Sequence, residues 1–176
     1  ALRMIDTKLE CGEMAADAVD VVKLDRTAHG DVARKAGVAL AKVMGKSDLL
    51  LALGNLVRGH EVVAGLALRA YGFDTHKTAE PDPRGTVTVA CAKPDEMKAA
   101  CAAPLAVAEG VHFTRDLVNE PANHLTTTSF AERLVEMEGL GLKVEVLEEK
   151  ELEKLGMGSL LSVGHGSDSP SKVVVM

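Results

Sequence analysis

The nine residues RDLVNEPAN, 115–123, decide how the rest of the chain is divided. They close a long Ala-rich helical pattern, and Pro121 ends it because proline lacks the backbone donor that a continuing helix needs. Beyond this stretch the alternation of helix and strand signals starts again. We therefore predict three parts: an N-terminal α/β domain over 1–93, a linker helix and bend over 94–123, and the truncated start of a second α/β domain over 124–176.

The pattern before the boundary alternates short apolar runs with helical periodicity. Strands are predicted over 19–24, 49–53 and 86–89, and a polar loop containing Pro81 and Pro83 over 75–85. The first helix is predicted to be capped by Asp31, to end near Gly45 and to bury Val32, Ala36, Leu40 and Val43. A second helix is predicted over 57–72. The linker helix runs from Pro94 to about Val118, and Pro104 inside it predicts a kink or two separate helices.

The pattern after the boundary predicts further α/β units with a largely parallel sheet. Residues 126–129 supply caps for a helix whose apolar face is formed by Phe130, Leu134, Val135 and Met137. A strand is predicted over 143–147 and a short helix over 150–155. Two more buried strands are predicted over 160–163 and 172–176. The last is apolar on both faces and therefore needs cover on both, so we expect the chain to be a fragment of a longer protein.

Composition and charge exclude several classes of protein. The formal net charge is −6 and no cluster of Lys and Arg occurs, which disfavours a nucleic-acid partner. The three cysteines, Cys11, Cys91 and Cys101, have no paired spacing, which indicates a reducing compartment. No apolar run approaches the length of a membrane span, and the first residues do not resemble a secretory signal. We therefore predict a cytoplasmic protein without a membrane partner.

Candidate catalytic or ligand-binding motifs are incomplete. His60-Glu61 begins a pattern one substitution short of the zinc helix HExxH, with Ala64 in place of the second histidine. Gly164-His165-Gly166-Ser167 lacks the third glycine of a dinucleotide fingerprint, so we interpret it as a turn between two strands. The histidines are scattered singly along the chain: His29, His60, His76, His112, His124 and His165.

Glu120 is open to two interpretations. It could act as a general base, or it could belong to a structured bend in which the side chains of Asn119 and Asn123 bond to nearby backbone. We favour the structural role. The residues by themselves thus predict an α/β protein in which no residue is assigned to a catalytic, cofactor-binding or metal-binding role.

Several segments in order resemble the leucyl aminopeptidase family, the cytosolic two-metal exopeptidases. Residues 115–123 match its RDLVNEPAN signature, and residues 71–78 are similar to its Tyr-x-Phe-Asp-x-x-Lys segment. Leu125-Thr126 follows as expected, although Thr127 stands where the family usually has proline. The strand over 144–147 and the glycine-containing segments over 155–158 and 164–167 complete the set.

The resemblance implies an N-terminal α/β domain with a mixed sheet like that of macro domains, a linker helix, and the opening βα units of a catalytic α/β domain. It implies two divalent metal ions, Zn²⁺ with Mn²⁺ or Mg²⁺ exchangeable at one position, that activate water for removal of N-terminal residues such as leucine from peptides. The family's ligand motifs, of the types VGKG-x-x-FDTGG and NTDAEGRL, do not occur in this sequence. We therefore expect the metal centre beyond this chain, no metal bound by this chain alone, and a fragment inactive by itself.

The expected partners are peptide substrates, the C-terminal catalytic half and other copies of the chain in a homohexamer. The alternative hypothesis is a non-catalytic assembly or regulatory module, which could bind DNA as some relatives of this family do. A weaker hypothesis is a small-molecule domain that binds nucleotide derivatives such as ADP-ribose, a function that fold alone supports poorly.

Overall fold

The computed structural model describes Met4–Ile5 and residues 19–78 and 85–176. The predictions that concern Cys11, Pro81 and Pro83 lie outside the described residues. The chain divides into two compact units, Ala1–Thr114 and Arg115–Met176. No helix among the described residues is long and apolar enough to cross a membrane.

The first unit contains short strands and two packed helices followed by a long one. Its elements in chain order are β1 (Met4–Ile5), β2 (Val21–Val22), α1 (Gly30–Met44), β3 (Leu49–Gly54), α2 (Gly59–Arg69), β4 (Val87–Cys91) and α3 (Pro94–Asn119), whose last residues belong to the second unit. β1 pairs with β2 antiparallel, and β3 pairs with β4 parallel from Leu49↔Val87 to Gly54↔Cys91.

The second unit consists of short elements. After the bend come α4 (Thr127–Val135), a 3₁₀ turn (Glu136–Leu140), β5 (Glu145–Leu147), α5 (Glu149–Lys154), α6 (Gly158–Gly164) and β6 (Val173–Val175). β5 and β6 pair antiparallel over three residues. The described residues therefore form a mixed α/β structure with small sheets. The prediction of a largely parallel sheet is wrong for this unit, because β6 returns against β5.

The core of the first unit lies between β3 and the helices α1 and α2. Its fully buried residues are Ala33, Leu40, Leu51 and Val62. The two helices approach closely at two glycines: a Cβ at Gly37 would lie 1.9 Å from the Val62 carbonyl oxygen, and one at Gly65 would lie 2.0 Å from the Arg34 carbonyl oxygen. Only glycine leaves room for backbones at this distance.

One predicted strand is a helix. Residues 160–163 lie inside α6, which is followed by the segment 164–167. A short apolar run fits a buried strand and a helix equally well, so periodicity could not separate them. The 164–167 turn consequently joins a helix to a strand and not two strands; Ser167 N–H donates to the Gly164 carbonyl at 3.0 Å, and Gly166 has φ +88°.

Four further predictions about helices and strands need correction. The N-cap of α1 is His29, and Asp31 lies in the first turn. The buried face of α1 is formed by Ala33, Ala36, Gly37 and Leu40, while Val32 and Val43 are exposed. The strand predicted over 19–24 is only Val21–Val22, half-exposed. The helix around Pro104 is a single one, Pro94–Asn119, so two separate helices are excluded.

Candidate functional site

The bend that follows α3 is built from backbone hydrogen bonds and a capped helix. Glu120 N–H donates to the Asp116 carbonyl at 3.0 Å, and the amides of His124 and Leu125 donate to the Pro121 carbonyl at 2.9 and 3.0 Å. Thr126 then caps α4: its hydroxyl accepts from the Ser129 amide, and the Ser129 hydroxyl accepts from the Thr126 amide. The predicted cap at 126–129 is thus confirmed.

The carboxylate of Glu120 forms an ion pair with Arg133. Arg133 Nη2, in the last turn of α4, donates to Glu120 Oε1 at 2.8 Å. The Glu120 side chain is 3% exposed and that of Arg133 is 35% exposed. The contact with Arg133 turns this carboxylate toward a partner in the protein. The geometry therefore favours the structural role of Glu120; the predicted bonds of Asn119 and Asn123 stay predictions.

A second group of polar contacts holds the segment before β6. Lys172 Nζ donates to both carboxylate oxygens of Glu148 at 2.6 Å, and its side chain is 11% exposed. Ser171 N–H donates to Glu149 Oε1 at 2.8 Å, and the Thr127 hydroxyl donates to the Pro170 carbonyl at 2.7 Å. These contacts tie the start of β6 to the starts of α4 and α5.

An open cavity of about 300 Å³ lies between α4 and the β5–β6 pair. It is lined by Thr128, Ala131, Glu132, Val135, Val146, Glu148 and Lys172. Its one ammonium group, that of Lys172, is paired with Glu148, and Glu132 adds a second carboxylate to the lining.

The segment of α2 that is one substitution short of the zinc helix HExxH takes part in helix packing. Glu61 Oε2 accepts from Nε and Nη2 of Arg34 on α1, at 2.9 and 2.6 Å. Ala64, at the place of the second histidine, is buried between the helices. Glu61 is therefore engaged in joining α1 to α2.

The described histidines lie apart from one another. His29 Nδ1 lies 2.6 Å from Asp31 Oδ1, the ring of His112 contacts Tyr71, and the ring of His76 contacts Phe73. Within residues 19–78 and 85–176 no three or more His, Cys, Asp or Glu side chains gather as they would around a metal ion. The described residues consequently offer no donor set that fits a metal centre.

Asp31 and Cys101 are among the titrating groups whose pKa values are shifted with clear causes. The hydrogen bond from His29 lowers the pKa of Asp31 below its ordinary value. Burial raises the pKa of the Cys101 thiol, with a smaller contribution from Cys91. A thiol with a raised pKa is a weaker nucleophile at neutral pH.

Comparison with known proteins identifies the family. Residues 112–176 match the sequence model described as "Cytosol aminopeptidase family, catalytic domain". A protein of Dinoroseobacter shibae named "Probable cytosol aminopeptidase" is 58% identical over 163 residues, 93% of this chain. The chain belongs to the cytosol aminopeptidase family. This confirms the resemblance that residues 115–123 and the segments around them carry.

Other comparisons agree with this membership. A "Probable cytosol aminopeptidase" of Cereibacter sphaeroides is 53% identical over 93% of the chain. The chain spans 33% of the length of both curated relatives. Among solved structures, "Bottromycin maturation enzyme BotP" has a TM-score of 0.75 and 31% identity, covering 92% of this chain and 38% of its own. A second structure, of the same enzyme "in complex with Mn", has a TM-score of 0.69 and 31% identity, covering 84% of this chain and 33% of that one.

Sequence reasoning missed the cationic partners in the site. Arg133 lies 13 residues from Glu120, and Lys172 lies 24 residues from Glu148. Pairs this far apart leave no periodic signal, because only partners three or four residues apart on one helix can be read from spacing. A buried carboxylate needs a partner that compensates its charge, so the near-complete burial of Glu120 would have indicated one. Burial, however, is unknown before the chain has folded.

Proposed function

We propose that this chain is part of a metal-dependent aminopeptidase, a hydrolase that removes N-terminal residues such as leucine from peptides. The observation that carries the proposal is the 58% identity to a protein named as a probable cytosol aminopeptidase, extending over 93% of the chain. The match of residues 112–176 to the catalytic-domain model supports it independently of any single relative.

The proposed enzyme uses two divalent ions, Zn²⁺ with Mn²⁺ or Mg²⁺ exchangeable at one position. A structural neighbour in complex with Mn supports a metal-dependent chemistry. Bound ions of this kind would supply an activated water and polarise the scissile carbonyl. Because the described residues gather no ligand group, we propose that the ligands come from sequence outside these 176 residues.

The proposed role of this chain is that of a scaffold. Residues 1–93 form a macro-domain-like domain, 94–123 a linker helix and bend, and 124–176 the beginning of the peptidase domain. In the whole enzyme, proposed to be a cytoplasmic homohexamer, this portion would place the subunits and limit access to the metal sites. Light scattering on the whole protein tests the assembly: a mass of one or two subunits contradicts the hexamer.

The test of the activity compares two proteins under identical conditions. Hydrolysis of leucine amide is measured with added Mn²⁺ for the whole protein that the gene encodes and for residues 1–176 alone. We expect the whole protein to hydrolyse leucine amide and a chelator to abolish this activity. We expect no hydrolysis by residues 1–176 alone. Turnover by the isolated 176 residues contradicts the placement of the metal centre, and a whole protein that is inactive with Mn²⁺ and Zn²⁺ contradicts the function.

A further inference from the structure

Glu120 and Arg133 enclose the bend and most of α4 between them. Glu120 is the first residue after α3, and Arg133 lies in the last turn of α4. The 2.8 Å contact joins two residues 13 positions apart and therefore closes a loop that contains the bend and the capped start of the helix. No other described ion pair of the second unit fastens α4 to the bend.

The burial of the Glu120 carboxylate makes this contact costly to break. The Glu120 side chain is 3% exposed, so its charge has been removed from water and is compensated by its protein partners. Removing Arg133 takes a cation away from a buried carboxylate, whereas replacing both members of a buried pair by apolar side chains is often neutral. The pair therefore constrains where α4 lies more strongly than an exposed ion pair would.

The position of α4 influences that of the neighbouring strands, because they are in contact. α4 packs against β6, and Thr127 at its start donates to the Pro170 carbonyl just before that strand. Ala131 and Val135 of α4 line the cavity together with Val146 of β5. A shift of α4 would consequently displace the β5–β6 pair, whose three-residue ladder is too short to keep its register by itself.

We propose that Glu120 and Arg133 are positioning residues, which hold α4 and through it the β5–β6 pair in the arrangement that the aminopeptidase needs. This inference rests on the proposed function only for its activity measurement. Neither residue is proposed to bind a metal ion or to touch substrate.

The test is a double-mutant cycle with E120M, R133M and E120M/R133M, with E153Q as the control. Glu153 is exposed on α5 of the same unit, so this change removes a carboxylate charge without unpairing a buried partner. Hydrogen exchange is followed at the amides of residues 127–135. We expect each single variant to exchange about tenfold to hundredfold faster there, and E153Q and the double variant to stay near the parent.

Activity of the whole protein separates positioning from stability alone. We expect the double variant to regain protection while kcat stays about tenfold or more below the parent with KM little changed, because apolar side chains restore packing but not the directed contact. Single variants that exchange like the parent overturn the proposal, and so does a double variant that regains both protection and kcat. A parent that is inactive contradicts the proposed function instead, and the exchange cycle then decides by itself whether the pair positions α4.

Discussion

Each of the two units is stabilised internally by a different kind of contact. In the first, α1 and α2 bring their backbones together at Gly37 and Gly65 and bury Ala33, Leu40 and Val62 against β3. In the second, the fully buried apolar residues are few (Ala131, Leu134 and Leu152), and side-chain hydrogen bonds and ion pairs connect the short elements. The first unit should therefore tolerate added side-chain volume poorly. The second unit should be destabilised by the loss of single charges.

The largest expected effect concerns the helix contact of the first unit. Gly65→Ala places a Cβ 2.0 Å from the Arg34 carbonyl oxygen, and Gly37→Ala places one 1.9 Å from that of Val62. Backbone cannot move away as a flexible side chain does, so each variant should lose about 3 kcal/mol of unfolding free energy or more. Urea denaturation followed by circular dichroism measures it.

Gly110→Ala is the matched control for that experiment. A Cβ at Gly110 in α3 meets nothing within 4 Å, so the better helix propensity of alanine should stabilise the protein by about 0.5–1 kcal/mol. Equal losses from all three glycine variants would show that the close approach of α1 and α2 is not what requires glycine.

The next effect concerns the polar unit. Lys172→Met removes an ammonium that bonds both oxygens of Glu148 and is 11% exposed, and should cost about 1–2 kcal/mol in local opening of β6. Lys93→Met is the control, because Lys93 also bonds both oxygens of a glutamate, Glu96, but is 71% exposed. Its cost should be close to zero.

Hydrogen exchange at the amides of 173–175 measures the first variant, and exchange at the first turns of α3 measures the control. A Lys172→Met variant with unchanged exchange in β6 would mean that the strand pair, and not the ion pair, holds this part of the second unit.

A smaller effect is expected at the start of α4. Thr126→Ala removes the hydroxyl that accepts from the Ser129 amide, and should destabilise the helix by about 1 kcal/mol. Thr114→Ala, inside α3, removes a hydroxyl that merely donates to the Gly110 carbonyl, and should change stability by less than about 0.5 kcal/mol. Thermal unfolding of the two variants side by side decides whether the cap matters.

The smallest effect is a pH dependence in the first unit. The hydrogen bond from His29 holds the pKa of Asp31 below 3.8, so its stabilisation is present above pH 3.8 and is lost as the pH falls through the lowered value. His29→Ala should return that pKa toward 3.8, as measured by NMR titration of the carboxyl. The pKa of Asp25, lowered mainly by the Thr27 hydroxyl, should not change. A pKa of Asp31 that stays low in the variant would contradict the assigned cause.

Local signals in the sequence located several elements well. The strand predicted over 49–53 is β3, the cap at 126–129 is the start of α4, and the helix predicted over 150–155 is α5. Each rests on neighbouring residues: an apolar run bounded by Gly54, a hydroxyl pair, and a charged helix stopped at Gly156. The family resemblance at 115–123 is local in the same sense, and the comparisons confirm it.

The sequence by itself determined which segments are able to form helices and strands, where α4 begins, and to which family the chain belongs, because these depend on residues adjacent in the chain. Only the tertiary structure decided that 160–163 is helical, that β6 runs antiparallel to β5, and that Arg34 and Arg133 neutralise Glu61 and Glu120. These outcomes depend on burial and on partners far along the chain, and both exist only once the chain has folded.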